Sequence, residues 1–315
     1  MTMQGLAAVA WLRSPEAIRA QCHGLLALAE QNRLPYFTLD ISHLEDVADY
    51  VAAVTRENYP SLHIPYHSRW RHFEIDGISR WQPTITDTAE RARAEIDLCT
   101  ISVLLDAGAG PAWRYRDPQT GRYFTRSEGL ALASLDAFRE GLFSSDPDQS
   151  LRADAAALSA ITPQHLAAIF QLSPANNLIG LPGRVTLLRN LGATLMHRPD
   201  LFGRDARPGH LFDYWRTGPL HARDMLGTLL DAFAPIWPGR IVLAGQNLGD
   251  VWAHPSAGGE GDAAGRVPFH KLSLWLCYSL IEVLERAGLP VAGLDALTGL
   301  AEYRNGGLLI DLRVL

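Results

Sequence analysis

Carboxylates set close to a lysine, an arginine and a tyrosine are what this sequence offers for chemistry. The densest run is Asp295-Ala-Leu-Thr-Gly-Leu-Ala-Glu302-Tyr303-Arg304-Asn305-Gly306-Gly307. Leu294, Leu297, Leu300 and Ala301 fall at the spacing of a buried helical stripe. Glu302 and Arg304 are therefore predicted to follow directly on packed core, with Gly306-Gly307 closing the segment in a turn. Charges in such a place are costly unless paired or used, which makes the segment, with its acids Asp295 and Glu302, the leading candidate for the active site. Asp250, in Gly249-Asp250-Val-Trp252-Ala-His254, is the third, with an indole and an imidazole close by.

A second cluster begins a helix. Lys271, Trp275, Tyr278 and Glu282 are spaced four, three and four residues apart and share one helical face after Pro268. Two readings apply: a snorkelling lysine with interfacial aromatics, or His270 and Lys271 holding an anion together with the free N–H groups of the first turn. Leu181-Pro182-Gly183-Arg184 reads as a tight turn feeding a helix and resembles, over three residues, the phosphate-contacting turn of helix-hairpin-helix DNA glycosylases. Asp106, in Leu105-Asp106-Ala-Gly108-Ala-Gly110, either caps a chain reversal or faces a pocket; the glycines match neither a dinucleotide loop nor a P-loop. His63 and His67 are four apart, but Pro60 and Pro65 exclude a regular helix there, so metal ligation is not expected. No Gly-x-Ser-x-Gly elbow is present and no cysteine is placed for covalent catalysis, which leaves acid chemistry by carboxylates, with no cofactor.

The elements that must position these residues are mostly helices. Amphipathic spacing and cap signals predict helices over 14–31, 41–56, 87–105, 127–140, 151–160, 162–170, 182–198, 221–232 and 268–287. Period-two runs are scarce: residues 240–244 form the best strand candidate, and 115–124 reads as a hairpin around Pro118-Gln-Thr-Gly121. The class is mainly α with few short strands. Residues 1–315 are expected either as one globular unit or as two intimate helical lobes, about 1–150 and 151–315, with the pocket between them. Polar-aromatic connectors at 59–83, 107–125, 203–219 and 245–267 are expected to carry function. Residues 256–265, without a large side chain, are expected as a mobile surface loop.

Bulk properties narrow the classes. The chain has 315 residues, 47% hydrophobic and 20% charged, enough to bury a large core. Its net charge of −6 supplies no field for a polyanion, so nucleic acid is not an expected partner. Cys22, Cys99 and Cys277 lie far apart in apolar helical sequence and are expected as buried thiols rather than a disulfide framework. The start has no basic segment ahead of its short apolar run, and no stretch reaches the roughly 18–20 apolar residues of a membrane span. A cytoplasmic protein is expected, without membrane association and with its oligomeric state left open.

Several longer motifs carry a resemblance. His67-Ser-Arg-Trp-Arg-His-Phe-Glu74, Val103 to Tyr115, Gly180 to Arg184, Arg207 to Asp213, Leu248 to His254, Val267 to Ser273 and Leu294 to Gly307 together resemble the uracil-catabolism protein four family, found in fungi and bacteria with the ring-opening route of pyrimidine degradation. Leu297 to Arg304 and the His270-Lys271 helix are also similar to the queuosine-nucleotide N-glycosidase salvage family, whose helical fold is related to DNA glycosylases. That family has aspartate where this chain has Glu302, a longer acid.

The resemblance implies hydrolysis of the N-glycosidic bond of a ring-opened pyrimidine nucleotide, ribosylurea 5-phosphate, to urea and ribose 5-phosphate. Such a reaction passes through an oxocarbenium-like state and needs a carboxylate near the anomeric carbon, a positioned water and a proton for the leaving group. On this reading Glu302 or Asp295 stabilises the cation and activates water, with Asp250 in reserve. Arg304, Lys271, His270 and Arg184 are the phosphate candidates. Trp70, His72, Trp113 and Trp252 would line the sugar and urea pocket, with Tyr303 beside them, and Asp106 and Asp213 would hydrogen-bond ribose hydroxyls or urea. The competing class is a non-catalytic carrier of a pathway intermediate, which would bind its ligand without turnover.

Overall fold

The structure is a computed structural model describing residues 3–315. Thirteen α-helices occur among the described residues. The first seven are α1 (Met3–Leu12), α2 (Pro15–Glu30), α3 (Leu44–Asn58), α4 (Thr88–Leu104), α5 (Arg126–Arg139), α6 (Ala155–Ser159) and α7 (Pro163–Ile169). They are followed by α8 (Leu181–His197), α9 (Pro199–Phe202), α10 (Leu211–Trp215), α11 (Ala222–Ala232), α12 (Lys271–Arg286) and α13 (Tyr303–Asp311). Strands are two or three residues long and pair only in twos: β1 (Glu74–Ile75) with β2 (Ile78–Ser79), β3 (Tyr115–Arg116) with β4 (Tyr123–Phe124), β5 (Leu220–His221) with the later β10 (Val291–Ala292), β6 (Val242–Leu243) with β7 (Gln246–Asn247), and β8 (Val251–Ala253) with β9 (Arg266–Pro268). The fold is mainly α. No helix among the described residues is long and apolar enough to cross a membrane.

Helix starts follow their cap chemistry. Ser14, Asp87, Asp154 and Thr162 each accept the main-chain N–H three residues on, and Pro15 and Pro163 occupy first-turn positions where no N–H is needed.

The chain divides into two compact units. One comprises the segment up to Tyr66 with Gly239–Lys271 and Asp295–Leu315; the other comprises His67–Pro238 and Leu272–Leu294. In the first, Val9 and Leu12 of α1 form a small core with Leu248, Val251 and Ala263. The main-chain N–H of Asp40 donates to the Val314 carbonyl at 2.9 Å. In the second, α4 is buried from Ala94 through Leu104, packed by α5, α8 and α10. Asp97 in its middle is fully buried; Arg207 donates to Oδ2 at 2.8 and 3.0 Å, and the Gly209 N–H donates to Oδ1 at 2.6 Å. Gly192 lets α8 approach α6: a Cβ there would lie 2.6 Å from Ser159 Oγ and 2.8 Å from the Ala155 carbonyl oxygen.

Three expectations are corrected. Residues 294–301 do not form a helix: a single 3₁₀ turn covers Leu294–Ala296, and only Leu297 of the stripe is buried. The cause is Arg19, whose guanidinium takes the carbonyls of Asp295, Ala296 and Leu297 at 2.5–2.7 Å, acceptors a helix would need. Gly306 and Gly307 lie inside α13 rather than closing a turn. Cys22 is exposed, one position beyond the buried Ala17, Ile18 and Gln21 of α2, while Cys99 and Cys277 are buried. Residues 256–265 lie at the surface as expected, with Ala263 alone among them buried.

Candidate functional site

In the first unit the β8–β9 hairpin brings Asp250 beside the start of α12, because Val251 pairs with Pro268 and Trp252 with Val267. The Asp250 carbonyl accepts the N–H of Phe269 at 3.0 Å, and its carboxylate Oδ2 accepts the N–H of Lys271 at 3.0 Å. Oδ1 accepts the Trp252 indole N–H at 2.8 Å. A carboxylate from a distant segment thus sits at the positive end of α12, the place where an external anion was expected. His270 does not serve that anion: it is 2% exposed, at φ +48°, and its Nε2 faces the Leu12 carbonyl at 2.8 Å. Burial lowers its pKa, so the ring is neutral and structural.

Lys271 joins two carboxylates. Its main-chain N–H is held by Asp250 and its ammonium forms an ion pair with Glu302. Glu302 occupies the N-cap position of α13, yet its side chain does not turn back onto the helix. An N-cap acid would ordinarily satisfy a free N–H of the first turn; here Lys271 takes it instead. Both side chains are partly open to solvent, at 34% and 26% exposure. Tyr303 is 90% exposed with the Lys271 ammonium 5.1 Å from its ring centre, and Arg240 lies 4.1 Å from the ring centre of Trp252. Asp250, Trp252, Lys271, Glu302 and Tyr303 are therefore brought together. Arg304 and Asp295 are exposed beside them in sequence, and Asp295 contributes its carbonyl to Arg19.

The second unit holds the other expected residues in several places. Trp113 is 1% exposed and donates to the Phe170 carbonyl; Trp70 is 5% exposed and donates to the Ser279 carbonyl, so both are core rather than pocket lining. Arg184 is buried, and its guanidinium is taken by the carbonyls of Leu105, Ala107 and Ile179, which fixes the end of α4 and leaves it poorly placed for phosphate. Asp213 accepts Arg93 twice, at 2.7 and 2.8 Å, and also faces His210; the Arg93 hydrogen bonds hold its pKa down at about 2. Asp106 turns its carboxylate to Arg69 Nη1 at 2.5 Å and to the Ser127 hydroxyl at 3.1 Å.

Arg69 lies in the 59–83 connector and was not among the expected site residues. It opens a 3₁₀ helix, Arg69–Phe73, with three residues per turn, so Arg69 stacks over His72 and Trp70 over Phe73. That period in Arg69-Trp70-Arg71-His72-Phe73 was the available signal. Arg69 is fully buried, with its Nε on the Ser102 hydroxyl at 2.7 Å, and His72 is pushed down to about 4 by burial and by Arg69.

Residues 11–315 match the family described as Protein of unknown function (DUF1688). The chain belongs to that family. It is 41% identical over 319 residues to Protein urg3 of Schizosaccharomyces pombe, covering 98% of this chain and 77% of that one. It is 36% identical over 334 residues to Uracil catabolism protein 4 of Lachancea kluyveri, covering 98% of this chain and 76% of the other. Asp250, Lys271 and Glu302 lie inside the matched span.

Proposed function

We propose that this protein acts in uracil catabolism as an N-glycosidase that hydrolyses ribosylurea 5-phosphate to urea and ribose 5-phosphate. The pathway is supported by the similarity to a protein named for uracil catabolism. The reaction class is supported by one observation: Lys271 is held between two carboxylates, Asp250 through its main-chain N–H and Glu302 through its ammonium.

In this reading Glu302, ion-paired with the Lys271 ammonium, faces the anomeric carbon as positive charge develops there and orients the attacking water. One proton of the water passes through Glu302 to the departing ureido nitrogen, its oxygen bonds to the anomeric carbon, and urea leaves neutral. Asp250 acts by fixing Lys271, and so Glu302. Arg304, exposed two residues beyond Glu302, is the cation proposed for the incoming phosphate, binding energy used remote from the reacting bond.

The test is purified protein with enzymatically ring-opened uridine 5-phosphate, following urea and ribose 5-phosphate by mass spectrometry over many enzyme equivalents. Multiple turnovers that fall at least a hundredfold in Glu302→Gln are expected. Stoichiometric protection of the ligand without product would refute hydrolysis and establish a carrier.

A further inference from the structure

The most unusual polar arrangement in the second unit lies outside the proposed chemistry. Arg69 Nη2, His72 Nδ1 and Trp275 Nε1 are each buried and each without a hydrogen-bond partner. Their side chains are neighbours: the Arg69 guanidinium lies 5.4 Å from the Trp275 ring centre, and the His72 and Trp275 rings meet edge to face at 5.6 Å. His67 stacks on Trp275 at 6.1 Å with 24° between the planes. Arg69 is 0% exposed and Trp275 is 8% exposed. One unsatisfied buried polar atom costs on the order of 1–3 kcal/mol, so three grouped on adjoining side chains call for a common occupant.

The charges select its chemistry. Arg69 already has a carboxylate, Asp106, on Nη1, and Glu128 adds a second negative influence. The guanidinium charge is therefore compensated, and an anion would be one negative charge too many in a low-dielectric place. Burial keeps His72 neutral, so its ring carries one N–H and one lone pair. The groups left over are two fixed N–H donors, from Arg69 and Trp275, and an imidazole nitrogen free to accept. A carbonyl oxygen offers two lone pairs to the donors, and an adjacent N–H meets the acceptor. Carboxylates and phosphates offer no N–H.

We infer that Arg69, His72 and Trp275 form a binding site for a neutral planar group of the type –NH–C(=O)–, that of an amide, a ureide or a pyrimidine ring. The site uses no side chain of the Asp250, Lys271 and Glu302 cluster, and its ligand need not react. It therefore stands or falls separately from the hydrolysis.

The test is titration of ¹⁵N-labelled protein with uracil and with methylurea, and in parallel with acetate and inorganic phosphate. The Trp275 indole cross-peak, assigned by its loss in Trp275→Phe, is the readout. Saturable shifts of that peak by uracil or methylurea are expected in the wild type, with affinity, followed in both variants by isothermal titration calorimetry, about tenfold weaker in Trp275→Phe. Trp275→Phe keeps a ring in place, and should it fail to fold, the wild-type titration and His72→Phe decide the question, the latter again weakening binding. Shifts produced by acetate or phosphate and not by the neutral compounds would overturn the inference. So would undiminished uracil and methylurea binding in both variants, or no shift from any of the four. Loss of glycosidase turnover in Glu302→Gln with these shifts intact is expected, since the two sites share no residue.

Discussion

Acidification should weaken the second unit through His72, and by a predictable amount. Its ring is pushed from 6.5 to about 4, first by burial and then by the Arg69 guanidinium, with Glu128 and Asp106 opposing and His67 adding to the drop. The folded pKa lies below the unfolded one, so the unfolded chain takes up the proton more readily. Stability from this group is complete above about pH 6.5 and is lost as pH falls toward about 4. A shift of about 2.5 units at ~1.4 kcal/mol per unit sets a limit of about 3 kcal/mol, of which about 2.5 kcal/mol is lost by pH 4.5. His72→Phe keeps an aromatic edge against Trp275 and removes the titration. Urea unfolding of both proteins at pH 7.5, 6.0 and 4.5 gives the difference directly, since other groups titrate alike in each. The wild type should lose about 2.5 kcal/mol more than the variant between the extremes. A wild-type-minus-variant difference that stays constant with pH would refute the reasoning.

Three further outcomes follow from the packing. Asp97→Ala should cost about 3–5 kcal/mol in chemical denaturation, because it leaves the buried Arg207 with Glu90 alone and strips the Ala153 and Gly209 N–H groups of their acceptor; a cost under ~1 kcal/mol would mean that the Glu90 pair at 2.8 Å suffices. Gly192→Ala should destabilise by about 1–3 kcal/mol despite alanine's better helix propensity, since its methyl would meet α6; a stabilised protein would show that α6 moves freely. Arg19→Met should free the carbonyls of residues 295–297, and hydrogen exchange should rise across 295–302 while α4 stays protected; unchanged exchange would show that the turn holds itself.

What could be read from the sequence depended on whether the signal was local. Ser14-Pro15 and Thr162-Pro163 announce their helices because cap and proline act on the next few residues. The chain from Leu294 to Ala301 misled because its apolar spacing is helical while a guanidinium nearly three hundred residues away takes its carbonyls. Lys271 and Glu302 were both singled out, yet their pairing depends on α13 starting at Tyr303, which the Gly306-Gly307 pair disguised. Trp70 and Trp113 looked like pocket walls because an indole reads the same whether it meets a ligand or a carbonyl of the core. Arg69 was hidden by its type, since arginine is rarely buried without a partner.

The first unit is assembled from three stretches of chain separated by the second, and this has a bearing on synthesis. Residues before Tyr66 leave the ribosome early, yet their partners include the β8–β9 hairpin and Val314, which accepts from Asp40. At ~5–20 residues per second, the roughly 250 residues between Tyr66 and Val314 take about 12–50 s to make. Helix α1 therefore waits through the whole production of the second unit, with Val9 and Leu12 lacking Leu248, Val251 and Ala263. Most of the second unit, by contrast, has been made by Pro238 and needs only Leu272–Leu294. Maturation is thus ordered from the middle of the chain outward, and the lysine-bridged carboxylates, Asp250 and Glu302, come into register in its last step.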